Sequence, residues 1–92
     1  MDNWRFLPGR IVATPGAIDL LERYETTPAE YLNRHLSGDW GELGIADKRE
    51  NELSVRRDYR IFSAYDVSPL NTLWIITEAD RSSTCLLLPS EY

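Results

Sequence analysis

Three apolar runs close the sequence, "YRIFSAY", "TLWIITE" and "STCLLL", and only "DVSPLN" and "ADRS" separate them. A parallel crossover needs about a dozen residues or more, so strands joined this tightly pair antiparallel. The first run alternates, with Tyr59, Ile61, Ser63 and Tyr65 sharing one face. In the second, Trp74 and Ile76 point opposite to Leu73 and Ile75. Pro89 ends the third. The expected object is an antiparallel meander with two side-chain faces, at least one of which must be covered.

The preceding residues supply the cover. "TPGAIDLLERY" places Thr14 as a helix N-cap and Pro15 at the first helical position, with Ile18 and Leu21 at helical spacing. "TTPAEYLNRHLSG" repeats the device. Thr27, Pro28 and Glu30 fit a capping box, Tyr31, Leu32, His35 and Leu36 form a stripe, and Gly38 suits the helix end. "ADKRENELSVRRD" predicts a third helix capped by Asp47, with a thin apolar edge of Ile45, Leu53 and Val55. "RIVAT" predicts a short strand over Arg10 to Thr14. The fold class expected is therefore α+β: two to three N-terminal helices on a three- to four-stranded antiparallel sheet, one domain over residues 1–92. The sheet face away from the helices is expected to carry Tyr, Trp, Thr and Ser, and, if exposed, to mark a partner.

Composition narrows the function. The net charge is −5, and neither half of the chain is basic, which argues against direct nucleic-acid binding by phosphate attraction. The stretch from Lys48 to Arg60 is locally positive and reads as a solvated helix face. A single cysteine, Cys85, excludes an internal disulfide. One His and one Cys leave almost no basis for a zinc site. Phosphate loops, G-x-S-x-G elbows and H-E-x-x-H are absent from the sequence, so neither a cofactor nor a metal is expected. "MDNWRFLPG" does not read as a signal peptide, and no run is long enough to span a bilayer, which makes the cytoplasm the default location.

Three short segments could carry chemistry. "RHLSGDWG" holds the only histidine, His35, four residues before Asp39. His35 reads either as a base oriented by Asp39 or as a structural residue at a helix C-terminus. Trp40 reads as a core plug or a projecting interface anchor. In "TEADRSST", Glu78, Asp80 and Arg81 cluster at a hairpin turn that could hold a ligand, although such residues also simply build turns. The binding candidates are thus Asp39, Trp40, Tyr59, Tyr65, Trp74, Glu78, Asp80 and Arg81. The catalytic candidates are His35, Asp39, Arg60 and Tyr65, with Arg57 and Ser63 as accessories.

"ATPGA", "RHLSGDWGEL", the following Asn51, "SAY" and above all "WIITEADRSST…LLPSEY" resemble a family of small bacterial proteins carried on plasmids, phage-like islands and other mobile DNA. Members bear automatic names such as "plasmid-related protein" or "type I restriction endonuclease subunit M". The second name requires a cofactor-binding domain that 92 residues without its glycine loop do not supply. The resemblance runs from about Arg10 to Tyr92, departs at "DVSPLN", and brings no established activity. Small size, acidity, three Trp and five Tyr, and no compelling catalytic constellation favour a small accessory protein that docks on a protein partner as an inhibitor or counter-defence factor, as proteins on mobile DNA often do. Two alternatives stand beside it. One is a metal-independent nuclease of the barnase or toxin-ribonuclease type using His35. The other is a self-associating structural protein, such as a homodimer.

Overall fold

The computed structural model describes residues 3–92. In chain order they form β1 (Arg10–Ala13), α1 (Pro15–Arg23), α2 (Pro28–Leu36), α3 (Ile45–Arg57), β2 (Ile61–Ser68), β3 (Asn71–Thr77), β4 (Ser83–Leu87) and a short 3-10 turn, Pro89–Glu91. The fold is α+β, as the patterning predicts.

The first two helices start where their caps lie. The Thr14 hydroxyl accepts the Ala17 N–H at 3.1 Å, and the Thr27 hydroxyl accepts the Glu30 N–H at 3.4 Å. The second half of the expected capping box is different, because the Glu30 carboxylate takes the Thr26 hydroxyl instead. α3 begins before Asp47, with Gly44 as N-cap and no side-chain cap bond. Its expected apolar edge is also corrected. Ile45 is 71% exposed, and the buried residues of α3 are the polar Asn51 and Ser54.

The sheet order is β1-β4-β3-β2. β2, β3 and β4 form the expected meander, but β1 lies parallel to β4, so the sheet is mixed rather than antiparallel. The short-connection rule binds only consecutive strands. Three helices intervene between β1 and the meander, leaving the direction of β1 free of that rule.

One sheet face meets the helices. Tyr65, Leu73, Ile75 and Leu86 pack with Ala17, Leu21 and Tyr31 into the core. Each fully buried Leu or Ile among them contributes about 1.5–3 kcal/mol. The Ser63–Tyr65 side expected to face outward is therefore the inner face. The opposite face carries Phe62, Ala64, Trp74, Ile76, Cys85 and Leu87, as the strand register requires.

The free edge of β2 is closed by the chain itself. The Asn51 amide accepts the Phe62 N–H at 3.2 Å and donates to the Phe62 carbonyl at 2.6 Å. Next along the edge, the Ala64 N–H donates to the Trp40 carbonyl and the Ala64 carbonyl accepts the Glu42 N–H. Asn51→Ala leaves both Phe62 groups without their partner. We expect it to cost about 1–3 kcal/mol, read as a lower urea midpoint with an unchanged far-UV spectrum.

Candidate functional site

"RHLSGDWG" is a helix end running into a structured turn. Gly38 follows the α2 C-cap with φ +91°, a conformation that suits glycine. The Asp39 carboxylate accepts the Arg34 Nε–H at 2.7 Å and the Gly41 N–H at 3.2 Å. The Arg34 hydrogen bond, foremost, holds the Asp39 carboxyl below its ordinary range. Trp40 is buried against Phe6 and His35, and its indole N–H donates to Glu52 at 3.0 Å. Arg5 grips the same Glu52 carboxylate through two bonds of 2.8 Å. Trp40 is a plug, and the projecting anchor weighed for it is not present.

His35 is fully buried, and both ring nitrogens are engaged. Its tautomer follows from a chain of hydroxyls, each with one proton to give. Thr84 donates to the Pro8 carbonyl at 2.8 Å, so Thr84 must accept from Thr77 at 2.7 Å. Thr77 then accepts the His35 Nε2–H at 2.9 Å, and His35 Nδ1 accepts the Ser63 hydroxyl at 2.6 Å. Every polar atom of this buried chain is paired, as buried polar groups require. Burial pushes the imidazole pKa down to about 3, so the ring is neutral near pH 7.

The remaining catalytic candidates do not join it. Tyr65 is fully buried, its hydroxyl donates to the Asp39 carbonyl at 2.6 Å, and burial raises its phenol above the ordinary value. Asp39 is turned to Arg34, and Arg60 lies with the residues of the opposite sheet face. The cleft in which His35, Asp39, Arg60 and Tyr65 would converge is absent. Ser63 is spent on His35, and Arg57 lines a separate depression of about 390 Å³ with Leu53 and Arg56. Cys85 is half-buried and its thiol is pushed up by burial, which disfavours the reactive thiolate.

The turn cluster is also structural. Asp80 accepts the Ser82 N–H at 2.9 Å. Arg81, with φ +61°, donates to the carbonyls of Tyr59, Ala79 and Ser54 at 2.8–3.0 Å, tying the hairpin turn to the end of α3. Glu78 is exposed and Tyr59 half-exposed. They do not form a contiguous patch with Tyr65, because Tyr65 points into the core.

Of the binding candidates, Trp74 opens onto a concave surface. It lines a groove of about 350 Å³ with Arg60, Phe62, Ile76 and Tyr92 on the outer sheet face. Phe62 meets the Trp74 ring edge-on at 4.9 Å between centroids, and Tyr92 meets it at 5.7 Å. The Arg60 guanidinium lies 5.3 Å from the Tyr92 ring centroid and donates to the Tyr92 hydroxyl. Among the described residues Arg60 has no carboxylate partner. Phe62, Ile76 and Tyr92 were missing from the expected site: alternation put Trp74 and Ile76 on one face of their strand, but only the register, which pairs Phe62 with Ile76, brings Phe62 to the same face.

Among the described residues no cluster of His, Cys, Asp or Glu could hold a metal ion, and no helix is long and apolar enough to cross a membrane. No protein family, curated protein or solved structure matches the chain.

Proposed function

We propose that this protein is a protein-binding module, and that the outer-face groove is where its partner docks. The observation that carries the reading is the grouping of Arg60, Phe62, Trp74 and Tyr92 around one apolar concavity. Aromatic and arginine side chains in a pocket are what binding hot spots are made of. The groove is large enough for one apolar side chain and has a single cation at its wall. The segment it fits is an apolar or aromatic residue flanked by an acidic one, whose carboxylate meets the free N–H groups of Arg60. An accessory role of this kind, as inhibitor or counter-defence factor in a bacterial cytoplasm and encoded on mobile DNA, agrees with the motif resemblance. The nuclease alternative loses its chemical basis, since the groove holds neither His35 nor any other base aimed into it.

Selection of peptides from a random display library on the immobilised protein tests the reading. The expected result is enrichment of sequences pairing an aromatic residue with Asp or Glu, whose affinity falls at least about tenfold on Trp74→Ala, a typical hot-spot truncation. Failure to enrich any sequence, or enrichment of peptides that bind Trp74→Ala equally well, overturns it.

A further inference from the structure

The two edges of the sheet are treated differently. Asn51 and the Trp40–Glu42 turn close the β2 edge, while the β1 edge has no such cover among the described residues. The Arg10 N–H donates to the Ser82 carbonyl and the Thr14 N–H to the Leu86 carbonyl, so the even-numbered residues of β1 face β4. In a parallel ladder the alternate residues, Ile11 and Ala13, must then point their N–H and C=O groups away from the sheet. The strand itself carries exposed apolar side chains, Ile11 on one face and Val12 on the other, and Leu7 just before it is exposed as well. An open edge of this kind is a template for another strand.

We infer that β1 is the interface of a homodimer, in which β1 of a second copy pairs antiparallel with it across a two-fold axis at Val12. Paired residues must share a sheet face, and outward-pointing residues must meet outward-pointing ones; of the registers these conditions allow, the one centred on Val12 engages both Ile11 and Ala13 within the strand. Ile11 exchanges N–H and C=O with Ala13 of the second copy, and the reverse holds by symmetry. Val12 meets Val12 of the second copy on the outer face. The same register sets Arg10 opposite Thr14 of the second copy.

Charge then favours a second copy over an unrelated strand. The Thr14 hydroxyl donates to the Glu91 carboxylate at 2.5 Å, so an acid already sits where the incoming Arg10 arrives. Glu91 is exposed, and it also accepts the Leu88 N–H at 2.8 Å. Arg10 has no ion-pair partner among the described residues of its own chain. The two-fold axis makes the Arg10–Glu91 pair twice. The sheets of the two copies become continuous, and the β2–β3 part of each groove, with Arg60, Phe62, Trp74 and Ile76, lies away from the β1 edge.

Sedimentation of the full chain over a concentration series tests this. A rise from monomer to dimer between about 1 μM and 1 mM is expected for so small an interface. Val12→Lys, which puts like charges on the axis, and Arg10→Glu should each move the midpoint at least about tenfold higher. Combining Arg10→Glu with Glu91→Lys should restore it, with folding of every variant checked by circular dichroism. Trp74→Ala should leave the midpoint unchanged, which separates this inference from the groove. A monomer throughout the series, a dimer that Val12→Lys does not weaken, or a dimer lost on Trp74→Ala overturns the inference.

Discussion

Acidification from pH 6.5 to about 3 is expected to remove about 5 kcal/mol of stability through His35 alone. The folded-state pKa is depressed to about 3 by burial, while the unfolded chain titrates at the ordinary histidine value of about 6.5. Between those values the unfolded state binds a proton that the folded state refuses. The stability is therefore fully present above about pH 6.5 and is lost as pH falls through the window, at about 1.4 kcal/mol per pH unit. A domain of this size has only about 5–15 kcal/mol in total, so the loss is enough to threaten folding. Asp39, Glu52 and Glu91 are also held below their ordinary carboxyl values. They destabilise in the same direction, but only below the usual carboxylate range. The interval from pH 6 to pH 5 thus isolates the histidine. His35→Leu should cost about 2–4 kcal/mol at pH 7, because Ser63 and Thr77 lose their buried partner. It should also flatten the slope between pH 6 and pH 5, so the urea-unfolding curves of variant and wild type draw together on acidification. Two curves that fall in parallel would mean that His35 does not refuse the proton.

Gly41→Ala is expected to destabilise the chain by about 3 kcal/mol, because two faults are added at once. Gly41 has φ +77°, which disfavours any side chain. A Cβ there also falls inside the van der Waals shell of the Ala64 carbonyl oxygen and against the Tyr65 ring. The backbone cannot yield without breaking the bridge between Gly41 and Ala64 that closes the β2 edge. The expected signature is a lower urea midpoint together with faster hydrogen exchange at Ala64, whose N–H is bonded to Trp40. A variant as stable as wild type, with Ala64 still protected, would show that the turn has slack the geometry does not suggest.

The meander and the two Thr-Pro helix starts were legible because each rests on a local rule: a short connection, a two-residue alternation, or a hydroxyl before proline. Alternation sorted the side chains of β2 and β3 onto two faces correctly. It could not say which face meets the helices, and the polar residues misled. Ser63, Thr77 and Thr84 look like a solvent face, yet they are buried because His35 arrives from α2 to complete their hydrogen bonds. That pairing spans 28 residues on one side and 42 on the other, beyond any local pattern. The same inversion hid the groove, since assigning Tyr65 to the surface drew attention away from Phe62 and Ile76. The direction of β1 had no local signal either. Arg81 looked like a ligand-binding charge because its true partners are backbone carbonyls, which every sequence possesses and none displays.

The most direct test of the account is a nuclear magnetic resonance titration of the isotopically labelled protein with the tightest peptide selected on it, following backbone amides and the Trp indole N–H signals. The Trp74 indole and the amides of Phe62, Ile76 and Tyr92 are expected to shift together, while the buried Trp40 indole stays in place. Shifts centred instead on Asp39–Gly41, on the Glu78–Ser82 turn or on β1, with Trp74 unmoved, would contradict it.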